Sequence, residues 1–257
     1  MDEQEFVDSI ENLIRYLREK KQISDIHLPL EITELQSKNQ IFPLSKYVEV
    51  KPSTIHGNGI FARTNLEKGK VVSLYPCHGI FVGNSGYFLE KYRDIAYSDP
   101  IIQKYKVKLS RLDDSEVFAI PYIQDNNLLG HLINDSYKSI SDFKDVNKDV
   151  IYFGKTITKY MLNSIACDNC RLIVTPNYIY LKTIKDINAG EELVNSYSYP
   201  YWCAEESNIS MNEINMLIEK YVLSLSNEDK MMFTSIYDTF INLSIPATSS
   251  SAQKIEA

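Results

Sequence analysis

The sequence predicts an α+β fold, with a strand-rich centre set between an N-terminal helix and a C-terminal helical region. Three observations predict it. Phe6, Ile10, Leu13 and Leu17 recur at helical spacing. From Tyr47 onward the apolar runs are short, rich in β-branched and aromatic residues, and punctuated by Gly, Pro and Asn. After Trp202 the period returns to that of a helix, with Ile214, Leu217, Ile218, Tyr221 and Leu225 on one face.

Taken in order, residues 3 to 20 read as an amphipathic helix within an N-terminal segment, 1–46. From Ile23 to Leu44 the pattern breaks, with Pro29 and Pro43 as punctuation. The central domain spans 47–203 and opens on the strand candidates "KYVEVKP", "GIFARTN" and "GKVVSLYP", the last two joined by the turn Leu66-Glu-Lys-Gly69. "EVFAIPYI" is a further strand. Residues 137 to 162 are mostly polar and show no helical stripe, so they read as an insertion or long loop. "NCRLIVTPNYIYLKTIKDI" reads as a hairpin turning at Pro-Asn, and Ala189-Gly190 turns the chain into "GEELVNSYS". In the C-terminal region, 204–245, Ser210 and Glu213 form a capping box. A second helix there carries Phe233, Ile236, Tyr237 and Phe240. The Ser/Ala-rich tail, 246–257, reads as disordered.

Composition narrows the function classes. The net charge is −7 over 257 residues, so direct nucleic-acid binding is not expected and a basic protein partner is. No apolar run reaches bilayer length, and Met1 to Phe6 lack the basic and apolar regions of a signal peptide. The expected location is intracellular, nucleus or cytoplasm, with the four cysteines reduced. Cys167-x-x-Cys170 has zinc-compatible spacing, with Cys203 and Cys77 or His78 as further donors, but no second close pair exists; free thiols and no metal are expected. Glu191-Glu192 reads as a solvated edge of the turn between strands.

The most informative stretch is "HGNGIFA", because a chain with nine glycines places two of them here, at 57 and 59. Alone it is a tight turn, not a dinucleotide fingerprint, since no strand–loop–helix unit follows. In context, "STIHGNGIFARTNLEKGKVVSLYPCHG" resembles the opening of the SET domain of protein lysine methyltransferases. The matching pieces are Gly57 and Gly59, Phe61-Ala62, Lys68-Gly69, and a Tyr-x-Gly-like step loosened to Tyr75-Pro-Cys-His-Gly79. "LGHLINDS" resembles the family's Arg-Phe-Ile-Asn-His-Ser, with Asn134 as its asparagine and Asp135 where the family has His. "NSIACDNC" offers an alternative, Asn163; "GHLIN" favours Asn134. The closing stretch matches at Asn169-Cys170, Ile187, Gly190-Glu191-Glu192-Leu193 and Tyr197. The family's cysteine-rich zinc knot after the last motif is not matched, for only Cys203 follows.

The resemblance implies several small sheets of short strands with a knotted C-terminal strand arrangement. It also implies methyl transfer from S-adenosyl-L-methionine to a lysine of a basic protein, histone tails being the favoured class. The cofactor would lie against His56, Gly57, Asn58, Gly59 and Phe61, with Asn134, Asp135, Tyr197 and Trp202 around it. A Cβ at the glycines would push it away. Tyr197 would act at the reacting centre, and Tyr75 would wall the lysine channel. Asn195 stands where relatives carry Phe or Tyr beside the lysine nitrogen; its smaller volume implies progress past one methyl group. The departures at Asp135 and at the Tyr75 step leave a second class open, a catalytically inactive SET-like module that only binds protein partners.

Overall fold

The structure is a computed structural model and describes residues 2–38, 40, 44–109, 115–123 and 128–244. Pro43 and the tail expected to be disordered, 246–257, lie outside the described residues. The chain divides into two compact units, residues 1–140 with 166–197, and residues 141–165 with 198 onward.

The first unit begins with α1 (Glu3–Lys21), capped by the Asp2 carboxylate, which accepts from the Glu5 amide at 2.8 Å. Its buried stripe is Phe6, Ile10, Ile14 and Leu17; Ile14 takes the inward place expected of Leu13, which is partly buried beside it. The stretch read as broken contains α2 (Leu28–Ser37). Pro29 does not interrupt this helix, because it stands in the first turn, where the missing N–H costs nothing.

The strands follow in chain order: β1 (Val48–Pro52), β2 (Asn58–Ala62), β3 (Val71–Leu74), β4 (Gly79–Val82) and β5 (Ser85–Phe88). After the short α3 (Arg93–Ser98) come β6 (Lys106–Lys108) and β7 (Ser115–Phe118). Beyond α4 (Val150–Cys167) lie β8 (Cys170–Val174), β9 (Ile179–Thr183) and β10 (Glu192–Leu193). They form three small antiparallel sheets, ordered β1-β2-β10, β3-β9-β8 and β5-β4-β7-β6. Gly69 and Gly190 turn at φ +89° and +87°, which explains glycine at both places expected to turn.

Two apolar clusters anchor the sheets. Phe6, Ile10 and Leu17 pack with Leu74, Tyr178 and Tyr180, so α1 is fastened to β3 and β9. Ile60, Val72, Ile133, Leu181 and Leu193 meet in a second cluster that backs β2 and β10. Each such side chain contributes about 1.5–3 kcal/mol by leaving water.

The second unit overturns the reading of 137–162 as a loop, because α4 occupies its second half, from Val150 onward. Phe153, Ile157, Tyr160, Met161 and Ser164 are buried at helical spacing. Lysines and threonines between them dilute the apolar composition, but the stripe is continuous. Gly154 lies under the Tyr221 ring, where a Cβ would come within 2.1 Å of a ring carbon. The helices α5 (Tyr199–Ser207), α6 (Met211–Ser224) and α7 (Asn227–Ser244) complete the unit. Phe240 of α7 packs edge-on to Tyr160 at 6.1 Å, and the Ser210–Glu213 capping box is present. No described helix is long and apolar enough to cross a membrane.

Candidate active site

The segment from Glu192 to Tyr197 is gripped from both sides. On one side, the Asn195 amide donates to the Asn134 carbonyl at 3.0 Å, and Asn134 bridges Val194 in parallel. On the other, Asn169 imitates a strand with its side chain: Oδ1 accepts from the Val194 amide at 2.8 Å and Nδ2 donates to the Glu192 carbonyl at 2.9 Å. The segment therefore passes between two stretches that are far apart in sequence, the strand threading expected near the C-terminal end of the central domain.

This threading carries Asn134 to the glycine turn. Its Nδ2 donates toward the carbonyls of His56 at 3.1 Å and Asn58 at 3.2 Å, and toward Glu192 Oε1 at 2.9 Å. Gly57 turns at φ +49°, and a Cβ there would meet no heavy atom within 4 Å. Gly59 is different: a Cβ would lie 2.1 Å from Glu192 Oε1 and 3.0 Å from Asn134 Nδ2. The Glu192 carboxylate, which also accepts from Ser53 Oγ at 2.9 Å, thus fills the space beside Gly59 and would have to move for any Cβ there. Phe61 lies on β2 beneath the Lys51 ammonium, 5.9 Å from the ring centre. His56 is exposed and meets Asn134 through its carbonyl.

Tyr197 is half-buried, and its hydroxyl donates to the Ile133 carbonyl at 2.5 Å. Asp135 is buried and holds the same region: its two oxygens accept from the Tyr137 and Tyr197 amides, each at 2.8 Å. Asp168 performs the matching task one residue earlier, accepting from the Ser196 amide at 3.1 Å and hydroxyl at 2.7 Å. Burial pushes the Asp168 carboxyl above the ordinary carboxylate range; Ser136 and Ser196 pull it down, and the Asp135 charge adds to the rise. Two carboxylates thus fix consecutive amides ahead of Ser198, whose φ of +88° is unusual for a residue with a side chain. Asn195 is half-buried, and its side chain donates to the Ser196 carbonyl at 3.0 Å.

The remaining expected site residues lie on other segments of the chain. Tyr75 is 6% exposed, donates to the Tyr105 carbonyl at 2.8 Å and packs with Leu30, Ile80 and Val117, so it is built into the core. Trp202 lies on α5 in the second unit, edge-on to Tyr201 at 4.9 Å. Asn163, the alternative asparagine, lies on α4 of that unit, whereas Asn134 meets the glycine turn. All four cysteines are free thiols, and among the described residues no three metal-ligating side chains converge. Sequence reasoning missed Glu192 and Asp168. Glu191 does lie at an exposed edge, accepting from Asn188 in the turn, but Glu192 faces Gly59. The available signal was strand alternation, which sends Glu191 and Leu193 to one face and Glu192 to the other; the pairing with Phe61 then sets Glu192 on the Gly59 side.

A family model described as the SET domain matches residues 57–198, more than half of the chain. The chain belongs to the SET-domain family, and its small antiparallel sheets with flanking helices are consistent with that fold. A comparison with curated proteins found no match. Among solved structures, the chain is similar to the crystal structure of a Plasmodium falciparum candidate histone methyltransferase. Identity is 12%, covering 61% of this chain and 97% of that one, at a TM-score of 0.32, too loose a likeness to argue from.

Proposed function

We propose that this protein is an S-adenosylmethionine-dependent protein-lysine N-methyltransferase acting on a basic protein segment, with histone tails as the favoured class. Membership of the SET family, whose members are generally lysine methyltransferases, supports the reading. The observation that carries it is the convergence of the glycine turn, Asn134 and the Tyr197 segment through the bonds of one threaded strand. The cradle suits the methionine end of the cofactor: it offers two backbone carbonyls, an amide side chain and a carboxylate around a glycine pair.

When bound, the cofactor supplies an electrophilic methyl group on a positively charged sulfur. The protein's part is to hold and orient. His56, Asn58 and Asn134 hold the cofactor end, and Asp135 and Asp168 fix the backbone that presents Tyr197. The Tyr197 hydroxyl and the Ile133 carbonyl beside it orient the lysine amine. Free lysine has a pKa near 10.4, so the amine must lose its proton before it attacks; a nearby positive charge and exclusion of water both favour that loss. The protein's own net charge of −7 suits a lysine-rich substrate segment.

Incubation with labelled S-adenosylmethionine, a histone panel and cell extract tests the reading; transfer to a lysine is expected. Cofactor binding without transfer to any protein would instead return the interaction-module reading. S-adenosylhomocysteine at about 100 times its dissociation constant is expected to stabilise the fold by roughly 2.7 kcal/mol, read as a thermal shift. Asn134→Ala is expected to weaken cofactor binding by about 1–3 kcal/mol in titration calorimetry, and Asn163→Ala by much less. The reverse order would move the site to Asn163.

A further inference from the structure

The Glu192 carboxylate in this cradle has unusual surroundings. Asn134 Nδ2 carries two hydrogens but faces three acceptors, Glu192 Oε1 and the carbonyls of His56 and Asn58, at 2.9, 3.1 and 3.2 Å. Two hydrogens cannot serve all three at once, so one acceptor is left to water or a ligand. The Glu192 carboxylate is only half-exposed, and its two partners, Asn134 and Ser53, are neutral. Among the described residues no Lys or Arg ion-pairs with it; the nearby Lys51 pairs with Glu49 instead. A partly buried carboxylate held only by neutral donors, one of them shared with two carbonyls, lacks a counter-charge and gains from a stronger donor. A primary ammonium group supplies both, with three donors and one charge. Gly59 gives the carboxylate its access, because Oε1 occupies the space a Cβ would take.

We propose that Glu192 is the counter-ion of a primary ammonium group, the amino group at the methionine end of the cofactor. This rests on the methyltransferase reading. The carboxylate fixes which way the amino-acid end enters: the ammonium turns toward Glu192, and the cofactor's own carboxylate is repelled from it. Glu192 is therefore a specificity residue that selects ligands carrying the amine over adenosine thioethers that lack it.

Titration calorimetry with two probes tests this: S-adenosylhomocysteine, which has the amino-acid end, and 5′-methylthioadenosine, which does not. Glu192→Gln keeps the shape and a hydrogen-bonding end but removes the charge. It is expected to weaken S-adenosylhomocysteine binding about ten- to a hundredfold, the worth of a charge-assisted hydrogen bond. Binding of 5′-methylthioadenosine should stay within about twofold, because the lost charge faces nothing in that ligand. The ratio of the two affinities cancels any general weakening of the fold, and Glu192→Ala should lower that ratio too. If both variants keep the wild-type ratio, the proposal is overturned while the methyltransferase reading stands. If the variants bind S-adenosylhomocysteine normally and lose only affinity for a lysine peptide, the carboxylate serves the substrate and the proposal is likewise overturned. If the wild-type protein binds neither probe, the cofactor reading falls and this inference with it.

Discussion

Tyr197→Phe is expected to lower methyl transfer by about a hundredfold or more, the usual loss when a placed hydroxyl or amide donor is removed from a reacting centre. Cofactor affinity should hardly change, because the proposed cofactor seat is the glycine turn, Asn134 and Glu192, whereas the Tyr197 hydroxyl donates to the Ile133 carbonyl. The ring should also keep its place. The backbone of residue 197 is held by Asp135, and the preceding amide by Asp168, independently of the phenol. The mutation does remove the bond to the Ile133 carbonyl, at a stability cost of about 1 kcal/mol, so the thermal midpoint should fall modestly. The informative pattern is a collapse of turnover with a nearly unchanged dissociation constant for S-adenosylhomocysteine. Single-turnover assays beside calorimetry read both. A variant that keeps wild-type turnover would show that Tyr197 serves only to brace Ile133.

How much of this was legible in the sequence depends on how local each signal was. Strands such as Val48–Pro52 and Ile179–Thr183 announce themselves by β-branched runs ending at turn residues. The Val82–Ser85 hairpin is equally local, with Gly83 at φ +56°, but its strands are too short and aromatic to show a clear alternation. Helix α2 was hidden because Pro29 reads as a breaker unless its position in the first turn is known. In α4 the charged and hydroxyl residues between Phe153 and Met161 obscured a stripe that only packing against other helices makes decisive. The site was less legible still. Gly59, Asn134 and Tyr197 could be named from the order of four motif pieces, yet nothing in that order says that Asn134 spans to the His56 carbonyl. The two carboxylates that hold Ser196 and Tyr197 lie 28 and 62 residues from those partners. The carboxylate that faces Gly59 is further away still along the chain, and such separations leave no periodic trace.

On acidification the fold should lose stability well before most carboxylates titrate, and two buried histidines are the cause, His131 and above all His78. This side chain is 2% exposed, lies 4.5 Å from the Tyr92 ring and 6.4 Å from the His131 ring, and accepts the Ile120 amide through Nδ1 at 2.8 Å. An imidazolium cannot accept that bond. Burial, with the positive charges of His131 and Lys91 as lesser causes, holds His78 down to about 3, and burial holds His131 down to about 4. Both folded-state values lie below the ordinary 6.5, so the unfolded chain binds more protons than the folded one in the window between them. Stability from these groups is fully present above about pH 6.5 and is lost as pH falls through that window toward 4 and 3. By pH 4 the loss from His78 is on the order of 3 kcal/mol, a large part of the roughly 5–15 kcal/mol that holds a typical domain folded. Thermal midpoints measured from neutral pH to about pH 4 should therefore fall steeply in the wild-type protein. His78→Gln removes the titration while keeping an acceptor for Ile120, and its curve should be flatter over the same range, even if its midpoint at neutral pH is lower. A wild-type curve that stays level down to pH 4, or a variant curve as steep as the wild type's, would show that His78 takes up its proton without leaving the core.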